Sequence, residues 1–194
     1  MLWFERDLYD SLQLAQIADR LADGPAPVSL VGLRHPPRGD MAAGYTARRT
    51  FNPDPRPFAA LRSPDPTAWQ EFGSLSRLVE ELPDAETGLS RLEREILESL
   101  ETGPLSPSTL FVAVARRERP PWLADAPLWA VADDLAPLVQ REGEDYAITD
   151  TGRAVLAGEQ RRPPVDRWLG GVHLSPDTPA WAWDAADRRI VNAS

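Results

Sequence analysis

Along the first third of the chain, the apolar and polar positions predict strand, helix, strand. Leu2-Trp3-Phe4 is a short apolar run. From Asp7 to Ala22, Leu8, Leu12, Leu14, Ala15, Ile17, Ala18 and Leu21 spread over a broad face, with Gln13, Gln16, Arg20 and Asp23 on the polar side. An apolar arc that wide predicts a helix lying on a sheet. Gly24-Pro25 ends it, because proline cannot continue a helix and glycine suits the position after the cap. Residues 28–33, Val-Ser-Leu-Val-Gly-Leu, predict a buried strand. A strand–helix–strand unit of this length implies a parallel pair. Two strands make a poor sheet, so more strands are expected from elsewhere in the chain or from a longer protein.

Residues 34–66 lose all periodicity. Proline stands at 36, 37, 53, 55, 57, 64 and 66 and glycine at 39 and 44, so an irregular loop is expected, carrying Arg34, Arg38, Arg48, Arg49, Arg56 and Arg62. A further helix is expected from about Asp65 to Leu82, with Pro66 in its first turn and Pro83 after it.

The second half is more sharply written. Ser90-Arg91-Leu92-Glu93 is a capping box, followed by the stripe Leu92, Ile96, Leu100 and the stop Gly103-Pro104. Ser106-Pro107 opens a second helix with Leu110, Phe111 and Val114 inward. A third helix from about Asp125 to Ala136 turns Leu128, Val131, Ala132 and Leu135 inward. Residues 138–149 read as a β-hairpin around Glu142-Gly143-Glu144-Asp145, and residues 150–158 as a closing helix. Three helices, a hairpin wing and a last helix form a winged-helix pattern. In the tail, Trp181 and Trp183 alternate as strand residues do, and one or two strands are expected to pack back on the rest. The fold expected is α+β: an N-terminal strand–helix–strand, Rossmann-like fragment and a C-terminal winged-helix-like domain. Its parts are residues 1–64, a linking helix at 65–88, the winged-helix-like domain at 89–158 and a strand extension at 159–194.

Composition removes whole classes of chemistry. All 21 basic residues are arginine and cysteine is absent, so thiolate nucleophiles, disulfides, lysine phosphate loops and Schiff-base lysines are excluded. With two histidines, His35 and His173, no three-histidine metal site can be built. No metal or cofactor is expected. A membrane helix needs about 18 apolar residues in a row and none is present. Met1–Asp10 carries three acids and one arginine without an apolar core, so no signal peptide is expected, and the compartment expected is the cytoplasm.

The net charge of −9 bears on partners. Over residues 89–158, seven arginines stand against twelve Asp and Glu, a balance of −5. The helix in the reading position, Asp125 to Ala136, has three aspartates and no cation, and the wing adds Glu142, Glu144 and Asp145. Phosphate contacts need cations to displace counterions, so DNA reading is disfavoured. Arg116, Arg117 and Arg119 are the counter-indication; a solvated helix end explains them better. The partner expected is another protein, and Trp122 and Trp129 are its candidate anchors, against the alternative that both are core.

Glu5 and Asp7 lie where the first strand gives way to the helix, the end at which α/β units bind ligands, and with Asp10 they could hold a cation. Charge complementing the helix dipole explains the same residues. Arg167 and His173 are the remaining polar candidates. His173 follows Gly170-Gly171, where a backbone can approach a ligand, and Asp166 with Arg167 is expected as an ion pair.

Four segments carry a resemblance. Residues 2–14 (Leu-Trp-Phe-Glu-Arg-Asp-Leu-Tyr-Asp-Ser-Leu-Gln-Leu), 88–94, 149–158 and 166–174 resemble, in order, segments of a bacterial family catalogued as domain of unknown function 1835. Arg6 stands where that family has histidine, which argues against a metal at Glu5 and Asp7. Members begin with a further α/β segment, so the resemblance implies a shortened member. It supplies a label and no activity. The function expected is regulation or scaffolding through protein contacts. The alternatives are a DNA-binding winged-helix regulator, and an enzyme or binding protein for a phosphate-bearing small molecule using Glu5, Asp7 and His173.

Overall fold

In the computed structural model, β1 (Leu2–Glu5), α1 (Leu8–Leu21) and β2 (Val28–Leu33) follow the expected order, and β1 pairs with β2 in parallel, Leu2 opposite Leu30. The structure describes residues 2–5, 8–24, 28–33, 49–118, 124–177 and 180–193. A third strand, β3 (Arg49–Phe51), lies antiparallel along β2, with Val28 opposite Phe51. It comes from the stretch read as loop. Three residues are too few to show a period of two, and the surrounding prolines hid them. The same stretch holds α2 (Arg56–Leu61), with Pro57 in its first turn and packed on α1. Asp54 secures its start: the carboxylate accepts the Arg56 backbone N–H at 3.0 Å and pairs with its guanidinium at 2.8 Å.

The helix expected over 65–82 is not continuous. A 3₁₀ turn covers Thr67–Glu71, Phe72 is extended at φ −115°, ψ 114°, and the short α3 covers Ser76–Val79. Burial of Trp69 decides this. Its ring is fully enclosed and its indole N–H donates to the Ala60 carbonyl at 2.8 Å. A buried indole must find such an acceptor, and the break at Phe72-Gly73 lets the turn carrying Trp69 and the turn carrying Leu78 and Val79 both face inward.

The second half matches its pattern closely. At α4 (Arg91–Leu100), Ser90 Oγ accepts the Glu93 N–H at 3.4 Å and the Glu93 carboxylate accepts the Ser90 N–H at 2.8 Å. Then come α5 (Pro107–Ala115), α6 (Asp125–Asp134), the hairpin β4 (Val139–Glu142) with β5 (Asp145–Ile148), and α7 (Asp150–Leu156). Leu92, Ile96, Leu100, Leu110, Val114, Leu128, Ala132 and Leu135 are buried in one cluster, with Phe111 and Val131 half-buried at its edge. One rung is new. Leu105 and Tyr146 exchange backbone hydrogen bonds at 2.9 Å, tying the α4–α5 connection to the hairpin.

The tail contributes four strands in two antiparallel hairpins: β6 (Arg167–Leu169) with β7 (Val172–Leu174), and β8 (Ala180–Asp184) with β9 (Arg189–Ala193). They close a second core. Val172 and Leu174 are buried with Trp69, Leu75, Leu78, Val79 and Leu82, while Leu12, Leu61, Trp181 and Trp183 pack against it. The Gly170-Gly171 turn is part of this closure. Gly170 has φ +56°, and a Cβ there would stand 2.5 Å from the Leu61 carbonyl oxygen; Gly171 N–H donates to that same oxygen at 2.8 Å. The close approach read as ligand binding is an approach of chain to chain. The protein is α+β. Among the described residues no helix is long and apolar enough to cross a membrane.

Candidate functional site

The two polar candidates on the β6–β7 hairpin face opposite ways. Trp168 is registered with His173 and Arg167 with Leu174, and neighbours on a strand alternate sides. Arg167 turns inward: Nη1 donates to Glu93 at 3.1 Å and Nη2 to the Glu81 carbonyl at 3.0 Å. His173 turns outward, its Nε2 lying 2.6 Å from Asp166 and its ring stacked on Trp168 at 4.6 Å and 10°. Asp166 therefore pairs with His173, and the expected Asp166–Arg167 pair is absent because alternation separates the two. Glu5 ends β1 and Asp10 lies in α1, while Asp7, His35 and Trp122 lie outside the described residues. Arg167 and His173 are not brought to one cleft. Among the described residues no cluster of three His, Asp or Glu could hold a metal.

Trp129 is also placed inward. It packs on the helical core and its indole N–H donates to the Pro107 carbonyl at 2.9 Å, so it is a structural residue and not an exposed anchor. Among the described residues the exposed tryptophan is Trp168, at 67%. Its place between inward-facing Arg167 and Leu169 is a period-two signal that the short strand obscured.

Beyond these residues, the α6–hairpin surface carries acid. Asp125, Asp133, Asp134, Glu142 and Glu144 are all exposed. The one arginine there, Arg141, is consumed locally. It pairs with Asp133 at 2.9 Å, donates to the Tyr146 hydroxyl at 2.5 Å and lies 3.7 Å over the Tyr146 ring. That stacking is a cation–π contact. Burial and the Asp133 carboxylate raise the Tyr146 phenol above its ordinary value. Arg117 is paired with Glu98, which leaves Arg116, just after α5, exposed and without a carboxylate partner among the described residues.

Between the two cores lies an ionic hub. Arg77 joins Glu81 at 2.5 Å and also Glu118; Arg91 joins Glu80 at 2.5 Å, Glu95 at 2.9 Å and Glu118 at 3.3 Å. The Glu81 and Glu118 side chains are 7% and 5% exposed. Four carboxylates thus share two guanidiniums, away from water. Burial pushes the Glu81 carboxyl above its ordinary value against the pull of Arg77. Burial pushes Glu95 up as well, and the neighbouring Glu118 charge adds to it while Arg91 opposes. Glu95 Oε2 is buried without a hydrogen-bond partner. The i, i+4 spacings Arg77–Glu81 and Arg91–Glu95 were visible in sequence as helix-surface pairs; their burial was not.

No family model matches the chain, and no curated protein or solved structure matches it either.

Proposed function

We propose that this chain is a cytosolic regulatory or scaffolding protein that works by contact with other proteins. On this reading residues 89–158 are a winged-helix-like domain, beside a Rossmann-like N-terminal fragment, and the protein is a member of the uncharacterised family its segments resemble. The observation that supports it is the charge of the outer side of α6 and the hairpin turn. From Asp125 to Asp145 six acids accompany one arginine, and that arginine is already bound to Asp133. Such a surface repels phosphates and attracts a basic polypeptide face. Arg167 and His173 diverge, so these two do not act together at one site, while Asp7 lies outside the described residues.

The test compares wild type with a combined Asp134→Asn, Glu142→Gln, Glu144→Gln variant in cross-linking capture from bacterial extract. A basic partner should be captured by wild type and lost from the variant, and the loss should be reproduced by added salt. Fluorescence anisotropy with labelled duplex DNA at low salt should show no binding. Identical capture by both proteins, or duplex binding by wild type, overturns the proposal.

A further inference from the structure

Within seven residues the tail places Arg161, Arg162 and Arg167 around Pro163, Pro164 and Val165. This strap runs along the turn before α4: the Arg162 N–H donates to the Thr87 carbonyl at 2.9 Å. Gly88, at φ +74°, permits the approach, since a Cβ there would stand 2.8 Å from the Arg162 carbonyl oxygen. Strap, turn and β6–β7 enclose a pocket of about 30 Å³, lined by all three arginines together with Pro83, Val165 and Ser175. A cavity needs about 10–15 Å³ of such space to hold a water, so this one admits one or two oxygen atoms of a larger group.

The electrostatics of this pocket are one-sided. No carboxylate lines it. Glu93 stands behind, and its Oε1 is shared by Arg162 and Arg167 while its Oε2 caps α4 through the Ser90 N–H. Arg161 has no carboxylate partner among the described residues, so Glu93 is the one acid ion-paired to these three guanidiniums there, and Arg167 feels the Glu81 charge without an ion pair to it. Arg162 is 8% exposed. Arg167 spends Nη1 on Glu93 and Nη2 on the Glu81 carbonyl, and its Nε is buried with no acceptor among the described residues. A buried N–H left without an acceptor is rare and costly. The apolar proline and valine walls strengthen whatever acceptor arrives.

We propose that this pocket is a binding site for a small oxyanion, the carboxylate or phosphate group of a ligand whose remainder lies in the open mouth. Guanidiniums recognise both groups through paired N–H donors. The site is separate from the acidic surface of α6 and rests on nothing argued for it.

The experiment titrates the full chain with inorganic phosphate and, separately, acetate at constant ionic strength, using sodium chloride as the reference. The readouts are the arginine Nε–H signals in ¹H–¹⁵N spectra and the melting temperature. One ligand or both should shift the Arg167 Nε–H signal saturably and raise Tm, as any ligand of the native state does. Response to phosphate alone assigns a phosphate source, and response to acetate a carboxylate source. Arg161→Gln, at an exposed position, should leave the unliganded Tm unchanged and weaken binding at least fivefold. Val165→Glu brings a carboxylate to the pocket and should abolish the response. A response no greater than that of chloride, or one that survives in both variants, overturns the proposal. Arg167→Lys keeps the charge, removes the Nε–H and should lose the shifted signal; because Arg167 also holds Glu93, the exposed Arg161 variant decides if that protein fails to fold.

Discussion

The first turn of α4 separates two ionic neighbourhoods built from the same two residue types in opposite proportion. On one side, Arg77 and Arg91 face Glu80, Glu81, Glu95 and Glu118; on the other, Arg161, Arg162 and Arg167 have Glu93 as their one ion-paired acid among the described residues, with Arg167 also feeling the Glu81 charge. Glu81, Glu118, Arg162 and Glu93 are the deeply buried members, so water screens their charges least. Excess carboxylate can be relieved by a proton, and burial, the main cause that pushes Glu81 and Glu95 above the usual carboxyl range, favours that proton. Excess guanidinium has no such remedy, since arginine does not give up its proton in proteins. It requires an anion. Proportion, more than the count of ion pairs, determines what each side responds to.

The comparison is broken most forcefully at Arg77. Arg77→Met leaves Glu81 and Glu118 buried beside Arg91 alone, and removing one partner of a buried pair costs about 3–5 kcal/mol. Urea unfolding at pH 7 should show that loss; a loss under 1 kcal/mol would mean that water reaches the hub. Glu93→Gln acts on the other side. It weakens charged hydrogen bonds to Arg162 and Arg167, each kind worth about 1.5–3 kcal/mol, and should lower stability by about 2 kcal/mol while tightening oxyanion binding in the same titration.

Glu95→Gln is the pH probe. The folded chain holds the Glu95 proton more tightly than the unfolded chain does, so stability is lost as pH rises above the ordinary value of 4.5 through the raised folded value. Asp54 and Asp65 behave in the opposite sense. The Arg56 side chain holds the first below 3.8 and the Thr67 backbone N–H the second, so stability is lost as pH falls through that region. Stability should peak between these windows. Glu95→Gln should flatten the decline on the alkaline side and leave the protein more stable than wild type in urea unfolding at pH 7. An unchanged slope would assign the decline to Glu81. The smallest effect is expected on the solvent side of α4, where Arg117→Ala removes a half-exposed pair with Glu98 and should change stability by under about 1 kcal/mol.

Sequence patterning revealed the helical half well because its elements are long enough to show their periods. The capping box at Ser90 and Glu93, the stripes of α4, α5 and α6, and the hairpin around Gly143 are local statements, satisfied by neighbours a few residues away. The second core was largely illegible. Its elements, β3, α2, the 3₁₀ turn, α3, β6 and β7, run three to six residues each, too short for a pattern, and its contacts join Trp69 and Leu82 to Val172 and Leu174. Arg167 was recognisable as a polar candidate but was expected to pair with Asp166; its inward turn onto Glu93 and the Glu81 carbonyl follows from a strand register that spacing alone does not give. The pairing of His173 with Asp166, and the burial of Glu81 and Glu118, depend on which elements meet, and no spacing encodes that.

The Gly170-Gly171 turn lodged on the Leu61 carbonyl has a consequence for synthesis. The surface it covers, with Trp69 beneath, is made about a hundred positions before its cover. At roughly 5–20 residues per second, that surface stays open on the ribosome for several seconds. The segment that carries Trp69 is therefore sealed only when residues 170–174 follow it out of the tunnel, and a nascent chain stalled before that point presents a bare tryptophan-bearing wall.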